Sequence, residues 1–258
     1  RDIPPSKLSA LCDKLEIDIS KYDKSQRELA LEFECKLMLR FGVAPDIVEL
    51  WFNAHVLTRV YDKTTKLKAL VSYQRKSGDA STFIGNTLFL MAVVCDLIPV
   101  SQLELALFSG DDSLLYGHSL SQFKNAQHFG LKFNLEIKFF EFDKSYFCSK
   151  FLLVVNDHWT FTPDPLKFIT KLGRHDLVNS LHVEEYRISF VDTVKNYKNY
   201  AVCIAVADAL RERYGVFKDF TNFLASLPNM TDERNFSQLF YSEIGDRIDH
   251  TVVFSRDF

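Results

Sequence analysis

The hydrophobic positions of this chain follow two patterns, one in each part. The N-terminal part alternates short apolar runs, typical of strands, with stretches whose apolar residues recur every three or four positions, as in helices. One such helix is predicted over residues 25–41, and Gly42 is predicted to close it as a C-cap. From Pro165 onward the pattern is mainly helical. This order predicts an α+β domain followed by a helical part, with the boundary near residues 163–165.

The other elements are predicted by the same rules. Strands are expected at residues 15–19, 69–73, 103–108, 113–116, 136–140, 146–148 and 151–155. Helices are expected at residues 45–57, 82–97, 121–129, 166–172, 183–197, 200–214 and 217–224. The strands at 103–108 and 113–116 are separated by a tight turn, which predicts a hairpin.

The composition is that of an ordinary globular protein. Of 258 residues, 47% are hydrophobic and 25% charged, enough for a sizeable core. The net charge of −3 counts mildly against nucleic-acid binding, because many such domains are clearly basic. A local basic cluster at residues 62–76 either faces a nucleic acid or is a solvated loop.

The cysteines and the chain ends indicate the cellular context. The five cysteines are widely spaced, so they suggest neither a zinc site nor a disulfide framework, and a reducing cytosolic compartment fits. The longest apolar stretch, residues 87–100, contains Asp96 and is too short to span a bilayer. The chain starts at Arg1 without a signal-peptide pattern, and we expect it to be an internal piece of a larger protein.

The strongest chemical signal is a pair of adjacent acids on the predicted hairpin turn. Asp111 and Asp112 follow Gly110, between two apolar strands. Like charges repel in such a partly dry place, and a divalent cation relieves the repulsion, with Mg²⁺ favouring carboxylate oxygens. Taken alone, Gly-Asp-Asp is also an ordinary turn sequence, so this element leaves both interpretations open.

Two further polar elements precede this turn. Asp18 ends the first predicted strand, and Asp23 stands at the start of the next helix, where it would also serve as an N-cap. In the segment 77–86, Gly78 permits unusual backbone angles, and Thr82 and Asn86 lie four residues apart on one helix face. A capped helix with a polar stripe explains that spacing equally well.

Together the three elements are far more specific than any one of them. Asp-x4-Asp, Ser-Gly-x3-Thr-x3-Asn and Gly-Asp-Asp, in this order, resemble motifs A, B and C of RNA-dependent RNA polymerases. The segments DISKYDKSQ, YQRKSGDASTFIGNTL and SGDDSLLY resemble the alphavirus-like supergroup of positive-strand RNA viruses, nearest to plant closteroviruses and tobamoviruses. FNLEIKFF and YFCSKFLLV are similar to motifs D and E, and DPLKFITKLG to the segment leading into the thumb.

The resemblance implies an architecture. It implies a polymerase palm over residues 1–163, with an antiparallel sheet flanked by helices and a fingers insertion at about residues 43–75. A mainly helical thumb would occupy residues 164–258. Part of the fingers is missing, because the family's basic triphosphate-handling motif is expected to precede Arg1.

The resemblance also implies roles for individual residues. Asp18 and Asp111 would coordinate two catalytic Mg²⁺ ions, with Asp112 assisting and Mn²⁺ as an alternative ion.

Asp23 and Asn86 would form a polar pair that reads the 2′-OH of the incoming nucleotide. Ser77 and Gly78 would shape the loop beside template and nucleotide, and Thr82 would support the Asn86 helix.

The remaining implications concern proton transfer and partners. Lys138, at the motif D position, would donate a proton to the departing pyrophosphate, with Lys132 and Lys144 nearby as alternatives. The implied partners are an RNA template with its primer or nascent strand, nucleoside triphosphates, and other replicase domains of the methyltransferase and helicase kinds. No disulfide partner is expected. The expected location is the host cytoplasm, in membrane-associated replication complexes.

Three other functions compete with this interpretation. A reverse transcriptase shares the palm and its paired acids but usually places an aromatic side chain near the sugar, so Asp23 and Asn86 argue against it. A two-metal nuclease has no need of the Ser-Gly-x3-Thr-x3-Asn element. A catalytically incomplete fragment that only binds RNA or replicase partners is the non-enzymatic alternative, and the intact Asp18, Asp111 and Asp112 argue against it for the parent protein.

Overall fold

A computed structural model describes residue 5 and residues 13–172, 180–215 and 218–238. The chain divides into two compact units. The first is Leu8–Glu141, and the second is Phe142–Phe258 together with Arg1–Lys7. This division falls earlier in the chain than the boundary predicted at residues 163–165. Assignment of the names palm, fingers and thumb to these parts stays a prediction.

The first unit combines antiparallel strands with helices. Its elements are β1 (Asp13–Ser20), α1 (Tyr22–Ser25), α2 (Glu28–Arg40), α3 (Pro45–Val56), β2 (Leu57–Tyr61), β3 (Lys68–Ser72), α4 (Thr82–Leu97), β4 (Leu103–Ser109), β5 (Asp112–Gly117), α5 (Ala126–Phe133) and β6 (Glu136–Phe140). Short 3-10 turns lie at Val100–Gln102 and Leu120–Phe123. The predicted α+β class is therefore confirmed.

The main sheet places β1 at its centre, in the order β4-β5-β1-β6, with every pair antiparallel. The side chains of β1 alternate, so Ile17 and Ile19 are buried while Asp18 is exposed. The buried face packs on α4, whose Phe89, Leu90 and other apolar residues belong to the same core cluster. The opposite face carries Asp18, which is exposed at the end of the strand, and also Glu16 and Leu114, which are buried.

The predicted helix over residues 25–41 was wrong at its start and right at its end. Gln26 is extended (φ −63°, ψ 140°), so a short α1 ends before it and α2 begins at Glu28. Tertiary hydrogen bonds of the Gln26 side chain, described below, override the helical pattern. At the other end Gly42 has φ +87°, and the N–H groups of Gly42 and Val43 donate to carbonyls of the last turn, as in a Schellman motif.

The sequence prediction of the segment between α3 and α4 was incomplete. The strand predicted at residues 69–73 is present as β3, but β2, its partner in a two-stranded hairpin, was missed. Most residues of β2 are exposed, so it lacks the alternation of a half-buried strand.

The helix predicted at residues 121–129 was right only in part, because a 3-10 turn at Leu120–Phe123 is followed by a break before the next helix. The side chain of Asn125 accepts a hydrogen bond from the His128 N–H and starts α5 at Ala126.

The second unit has a three-stranded antiparallel sheet followed by helices. Its elements are β7 (Ser145–Phe147), β8 (Lys150–Val155), β9 (His158–Pro163), α6 (Pro165–Ile169), α7 (Ser180–Val194), α8 (Tyr200–Tyr214), α9 (Thr221–Ser226) and α10 (Glu233–Gln238). Further 3-10 turns lie at Lys195–Lys198 and Leu227–Thr231. Strand β9 was not predicted from the sequence. It pairs with β8 through a turn at Asn156-Asp157, where both residues have positive φ, as type I′ hairpins require. Of the helix predicted at 217–224, residue 217 lies outside the described residues, and α9 starts at Thr221.

A buried carboxylate anchors the start of α6 in this unit. Asp164 is fully buried and accepts hydrogen bonds from the Leu166 N–H at 2.9 Å and from the hydroxyls of Tyr146 and Tyr214 at 2.9 and 2.6 Å. Three donors thus compensate its desolvation.

Among the described helices, none is both long enough and apolar enough to span a bilayer.

Candidate active site

The acidic turn is a two-residue hairpin loop tied to helix α4. Ser109 pairs with Asp112, and Gly110 between them has φ +63°, a conformation that favours glycine. The Gly110 N–H donates to the hydroxyl oxygen of Thr87 at 2.8 Å, and that hydroxyl donates to the Phe83 carbonyl at 2.8 Å. The turn is therefore held by a side chain of the helix that also carries Asn86.

Asp18 lies at the same end of the sheet as this turn. The last paired position of β1 with β5 is Ile17 opposite Ser113, so Asp18 stands one residue beyond it, toward the turn. On the neighbouring strand β6, Lys138 is the register partner of Asp18, which places both side chains on the same face, where both are exposed. Asp18, Asp111 and Asp112 thus lie at the same end of strands β1, β4 and β5.

Asp23 and Asn86 form a hydrogen-bonded pair, as the family resemblance implied. The Asn86 Nδ2 donates to a carboxylate oxygen of Asp23 at 2.7 Å. The Tyr22 hydroxyl donates to the Asn86 backbone carbonyl at 3.0 Å. Asn86 is only 6% exposed, so a polar side chain is fixed inside the unit, 63 residues away in sequence from its partner.

The pair continues into a chain of buried polar side chains. Gln26 donates from Nε2 to Asn86 Oδ1 at 2.7 Å and accepts from Arg75 Nε at 3.1 Å. Arg75 in turn donates to Glu34 at 2.6 Å and to the Ser81 hydroxyl at 3.3 Å. We call Glu34, Arg75, Gln26, Asn86 and Asp23 the polar relay.

A cavity of about 310 Å³ opens beside the pair. Its lining consists of Lys21, Tyr22, Asp23, Lys24, Asn86 and Asp111. The structure therefore brings three of the predicted site residues to one cavity. Sequence reasoning missed the two lysines, although the run Lys-Tyr-Asp-Lys showed bases directly beside Asp23.

The electrostatics of the cavity wall keep Tyr22 neutral. Burial raises the pKa of Tyr22 far above its usual range, the positive charge of Arg75 opposes that rise, and the carboxylates of Asp111 and Asp23 add to it. The phenol therefore remains a hydrogen-bond donor to the helix that carries Asn86.

The loop before α4 holds the other predicted residues at the helix start. Ser77 and Gly78 are exposed, and Gly78 has φ +93°. Thr82 donates from its hydroxyl to the Lys76 carbonyl at 2.8 Å, closing the loop onto the helix.

A buried histidine secures the same loop from α3. The His55 Nε2 lies 2.8 Å from Asp79 Oδ2, and its Nδ1 lies 2.8 Å from the Trp51 carbonyl oxygen.

The acidic residues suit Mg²⁺ in kind but do not form a closed ligand set. Asp18, Asp111 and Asp112 are exposed at one end of the sheet, where waters and substrate phosphates can complete the coordination of a hard cation. Within residues 13–172, 180–215 and 218–238, no three His, Cys, Asp or Glu side chains converge closely enough to hold an ion. The donor chemistry fits Mg²⁺, and the complete ligand geometry stays a prediction.

The lysines of the predicted proton-donor position differ in their surroundings. Lys138 is exposed on β6 beside Asp18. Lys132 is engaged with Asp96, at 2.6 Å from each of its carboxylate oxygens. The backbone N–H of Lys144 donates to Glu212 at 3.2 Å within the second unit. Of the three, Lys138 is the one placed beside a predicted metal ligand.

Comparison with known proteins covers nearly the whole chain. A family model described as RNA dependent RNA polymerase matches residues 6–238. The chain is 44% identical over 239 residues, 92% of its length, to the RNA replication protein of Citrus leprosis virus C. It is 38% identical over 201 residues, 78% of its length, to the replicase large subunit of Sunn-hemp mosaic virus, and 37% identical over 221 residues, 83% of its length, to that of Tobacco mosaic virus strain OM.

These relatives are much longer proteins. The chain spans 10%, 12% and 14% of the three, respectively. The resemblance read from motifs A, B and C is confirmed by the family match and by tobamovirus replicases among the relatives. The chain belongs to the RNA-dependent RNA polymerase family of the alphavirus-like supergroup and is a part of such a protein.

Proposed function

We propose that this chain carries the nucleotidyl-transfer centre of a viral RNA-dependent RNA polymerase, which copies an RNA template into RNA. The observation that carries the proposal is the convergence of Asp111 with the Asp23–Asn86 pair on one cavity. An acid suited to a metal ion and a pair suited to a hydroxyl stand side by side, as the transfer of a ribonucleotide requires.

Asp18 and Asp111 would hold two Mg²⁺ ions, or Mn²⁺, with Asp112 assisting. When bound, such ions lower the pKa of an attacking hydroxyl and neutralise charge on the leaving phosphates. Phosphoryl transfer needs positioning and charge neutralisation more than a protein nucleophile. The exposed position of the three acids suits ligands that must also reach a substrate.

The cavity residues would place the nucleotide. Lys21 and Lys24 would contact the triphosphate as point charges, because both line the cavity beside Asp111. Asp23 and Asn86 would bond the 2′-OH of the ribose. A site built to bond a hydroxyl rejects the analogue that lacks it, so this pair favours ribonucleotides.

The loop before α4 would complete the nucleotide site. Ser77 and Gly78 would shape it beside the template, and Thr82 would keep it closed on the helix.

In the reaction, the 3′-hydroxyl of the growing strand would lose its proton to water while its oxygen attacks the α-phosphorus, and the bond from that phosphorus to pyrophosphate would break. Lys138 would give the leaving pyrophosphate a proton, as its position beside Asp18 permits.

The wider setting would be that of a larger replicase. The relatives are replication proteins many times longer than this chain, so further replicase domains such as methyltransferase and helicase would accompany it. RNA template, primer or nascent strand and nucleoside triphosphates would be its substrates, in membrane-associated complexes of the host cytoplasm. The non-enzymatic alternative, a fragment that only binds RNA or replicase partners, has no observation in its favour.

Asp111→Ala in the complete polymerase tests the proposal. We expect nucleotide incorporation into a primed RNA template to fall below detection, while the melting temperature stays close to that of the wild type because Asp111 is exposed. Glu49→Ala, at an exposed acid of α3, is the matched control and should retain activity. Normal elongation by Asp111→Ala would refute the assignment.

A further inference from the structure

The polar relay contains three buried residues that the reaction itself does not use. Gln26 is 2% exposed, Glu34 6% and Arg75 7%. Burying an ion pair such as Arg75–Glu34 costs desolvation free energy that its attraction does not reliably return, so stability is a weak reason for its presence. A role in fixing one arrangement of neighbouring polar groups is a stronger reason.

The relay has a fixed direction. A guanidinium can only donate, so Arg75 Nε–H, 3.1 Å from Gln26 Oε1, holds the oxygen of that amide on its own side. The Gln26 NH₂ group is thereby turned toward Asn86, where it donates to Oδ1 at 2.7 Å.

The same logic orients Asn86. With its oxygen engaged by Gln26, its NH₂ group faces Asp23, whose ionised carboxylate can only accept. A donor-only group at one end and an acceptor-only group at the other leave a single arrangement in which every contact is a hydrogen bond. Flipping either amide would set oxygen against oxygen or nitrogen against nitrogen.

This orientation decides what a nucleotide meets. The bond to Asp23 uses one of the two amide hydrogens of Asn86 and one carboxylate oxygen of Asp23. One donor and one acceptor are then left to face the donor and acceptor of a hydroxyl. If the Asn86 amide were flipped, two acceptors would stand there and repel each other.

The position of Arg75 is enforced by packing as well as by bonds. Its guanidinium lies on Gly85 of α4, where an added Cβ would come within 2.9 Å of one terminal nitrogen and 3.0 Å of the other. The absence of a side chain at Gly85 therefore makes room for the guanidinium.

We propose that Gln26 and Arg75 are positioning residues for sugar selection, which set the orientation of the Asn86 amide so that the Asp23–Asn86 pair can bond a ribose 2′-OH. The inference rests on the proposed function and deepens it. Glu34 and Gly85 hold Arg75 in place. Through Gln26, Arg75 then fixes the orientation of the Asn86 amide at the cavity.

The test is the ratio of kcat/KM for a ribonucleotide to that for its 2′-deoxy analogue, measured in the complete polymerase. Gln26→Glu keeps the shape and the bond from Arg75 but offers Asn86 an acceptor instead of a donor. We expect the ratio to fall by about tenfold or more, through a lower ribonucleotide efficiency, because hydroxyl recognition accounts for the discrimination. A merely structural defect would lower kcat/KM for both nucleotides alike and leave the ratio unchanged.

A second variant covers the case in which Gln26→Glu does not fold. Gly85→Ala removes no polar group and adds a residue that favours helix, yet its methyl displaces Arg75. It should lower the ratio in the same direction. Val93→Ala, a buried residue of the same helix outside the relay, is the matched control and should leave the ratio at the wild-type value.

The outcomes separate this inference from the proposed function. A wild-type ratio in an active Gln26→Glu enzyme, or in Gly85→Ala, overturns the positioning role. If Asn86→Ala lowers the ratio but Gln26→Glu and Gly85→Ala do not, the sugar-reading role of the Asp23–Asn86 pair stands and only the positioning role of the relay is refuted. An unchanged ratio in Asn86→Ala refutes the sugar-reading pair itself.

Discussion

Two adjacent residues of helix α4, Asn86 and Thr87, support the two halves of the site in different ways. Asn86 is buried and bonded to Gln26 and Asp23, inside a relay anchored by an ion pair. Thr87 is half-buried and holds the exposed acidic turn by one hydrogen bond to Gly110. The half proposed to read the sugar is thus fixed by the fold itself, while the half proposed to bind metal offers exposed carboxylates that ions and substrate would draw together.

This difference predicts a division of effects. Substitutions among the exposed acids should reduce chemistry and spare stability, because surface positions contribute little to folding. Substitutions within the relay should reduce stability and sugar choice together, because each leaves a buried polar group without its partner.

The largest effect should come from the exposed half. Asp18→Asn keeps the size of the side chain but removes its charge, and we expect kcat to fall by at least about a thousandfold, the scale of losing a central electrostatic contribution to catalysis. Thermal unfolding should show little change in Tm, since Asp18 is exposed. Retained activity would show that Asp18 is not a metal ligand.

A smaller effect, on stability this time, should come from the buried half. Arg75→Met leaves Glu34 charged and unpaired inside the unit, and we expect a loss of about 3 kcal/mol in the free energy of unfolding. Chemical denaturation measures it. Lys36→Ala, which breaks the exposed pair with Glu32, is the control and should cost less than about 0.5 kcal/mol. Equal costs would contradict the buried role of the ion pair.

The smallest effect should come from the link between the halves. Thr87→Val removes the acceptor of the Gly110 N–H while preserving the shape of the side chain, at a cost of about 1 kcal/mol. If that loss of free energy falls on the acidic turn that we propose to be catalytic, kcat should drop by about fivefold. Thr87→Ser keeps the hydroxyl and should behave as the wild type. A wild-type kcat in Thr87→Val would mean that the turn holds its place without this bond.

Local patterns in the sequence were enough to predict the frame of the site. Helix α4 was predicted with the bounds that the structure has, because its apolar residues and its polar start are both local signals. The hairpin around Gly110 was predicted for the same reason. The pairing of Asp23 with Asn86 came only from the family resemblance.

What the sequence did not predict depends on contacts between distant residues. Gln26 was predicted to lie within a continuous helix, because no local pattern indicates its hydrogen bond with Arg75, 49 residues away. The burial of Glu34 and Arg75 is likewise a tertiary fact, because isolated charged residues are normally expected at the surface. The positions of Lys21 and Lys24 beside the cavity depend on the left-handed backbone conformation of Lys21, which the sequence did not predict.

One measurement tests the central claim most directly: template-dependent incorporation of a ribonucleotide and its 2′-deoxy analogue by the complete polymerase, with Asp111→Ala and Asn86→Ala compared with the wild type. We expect Asp111→Ala to incorporate neither nucleotide. Asn86→Ala should still incorporate nucleotides but with its preference for ribose reduced by about a hundredfold, consistent with the loss of a buried hydroxyl contact. An Asn86→Ala enzyme that keeps the wild-type preference, or an Asp111→Ala enzyme that still extends RNA, would contradict the account.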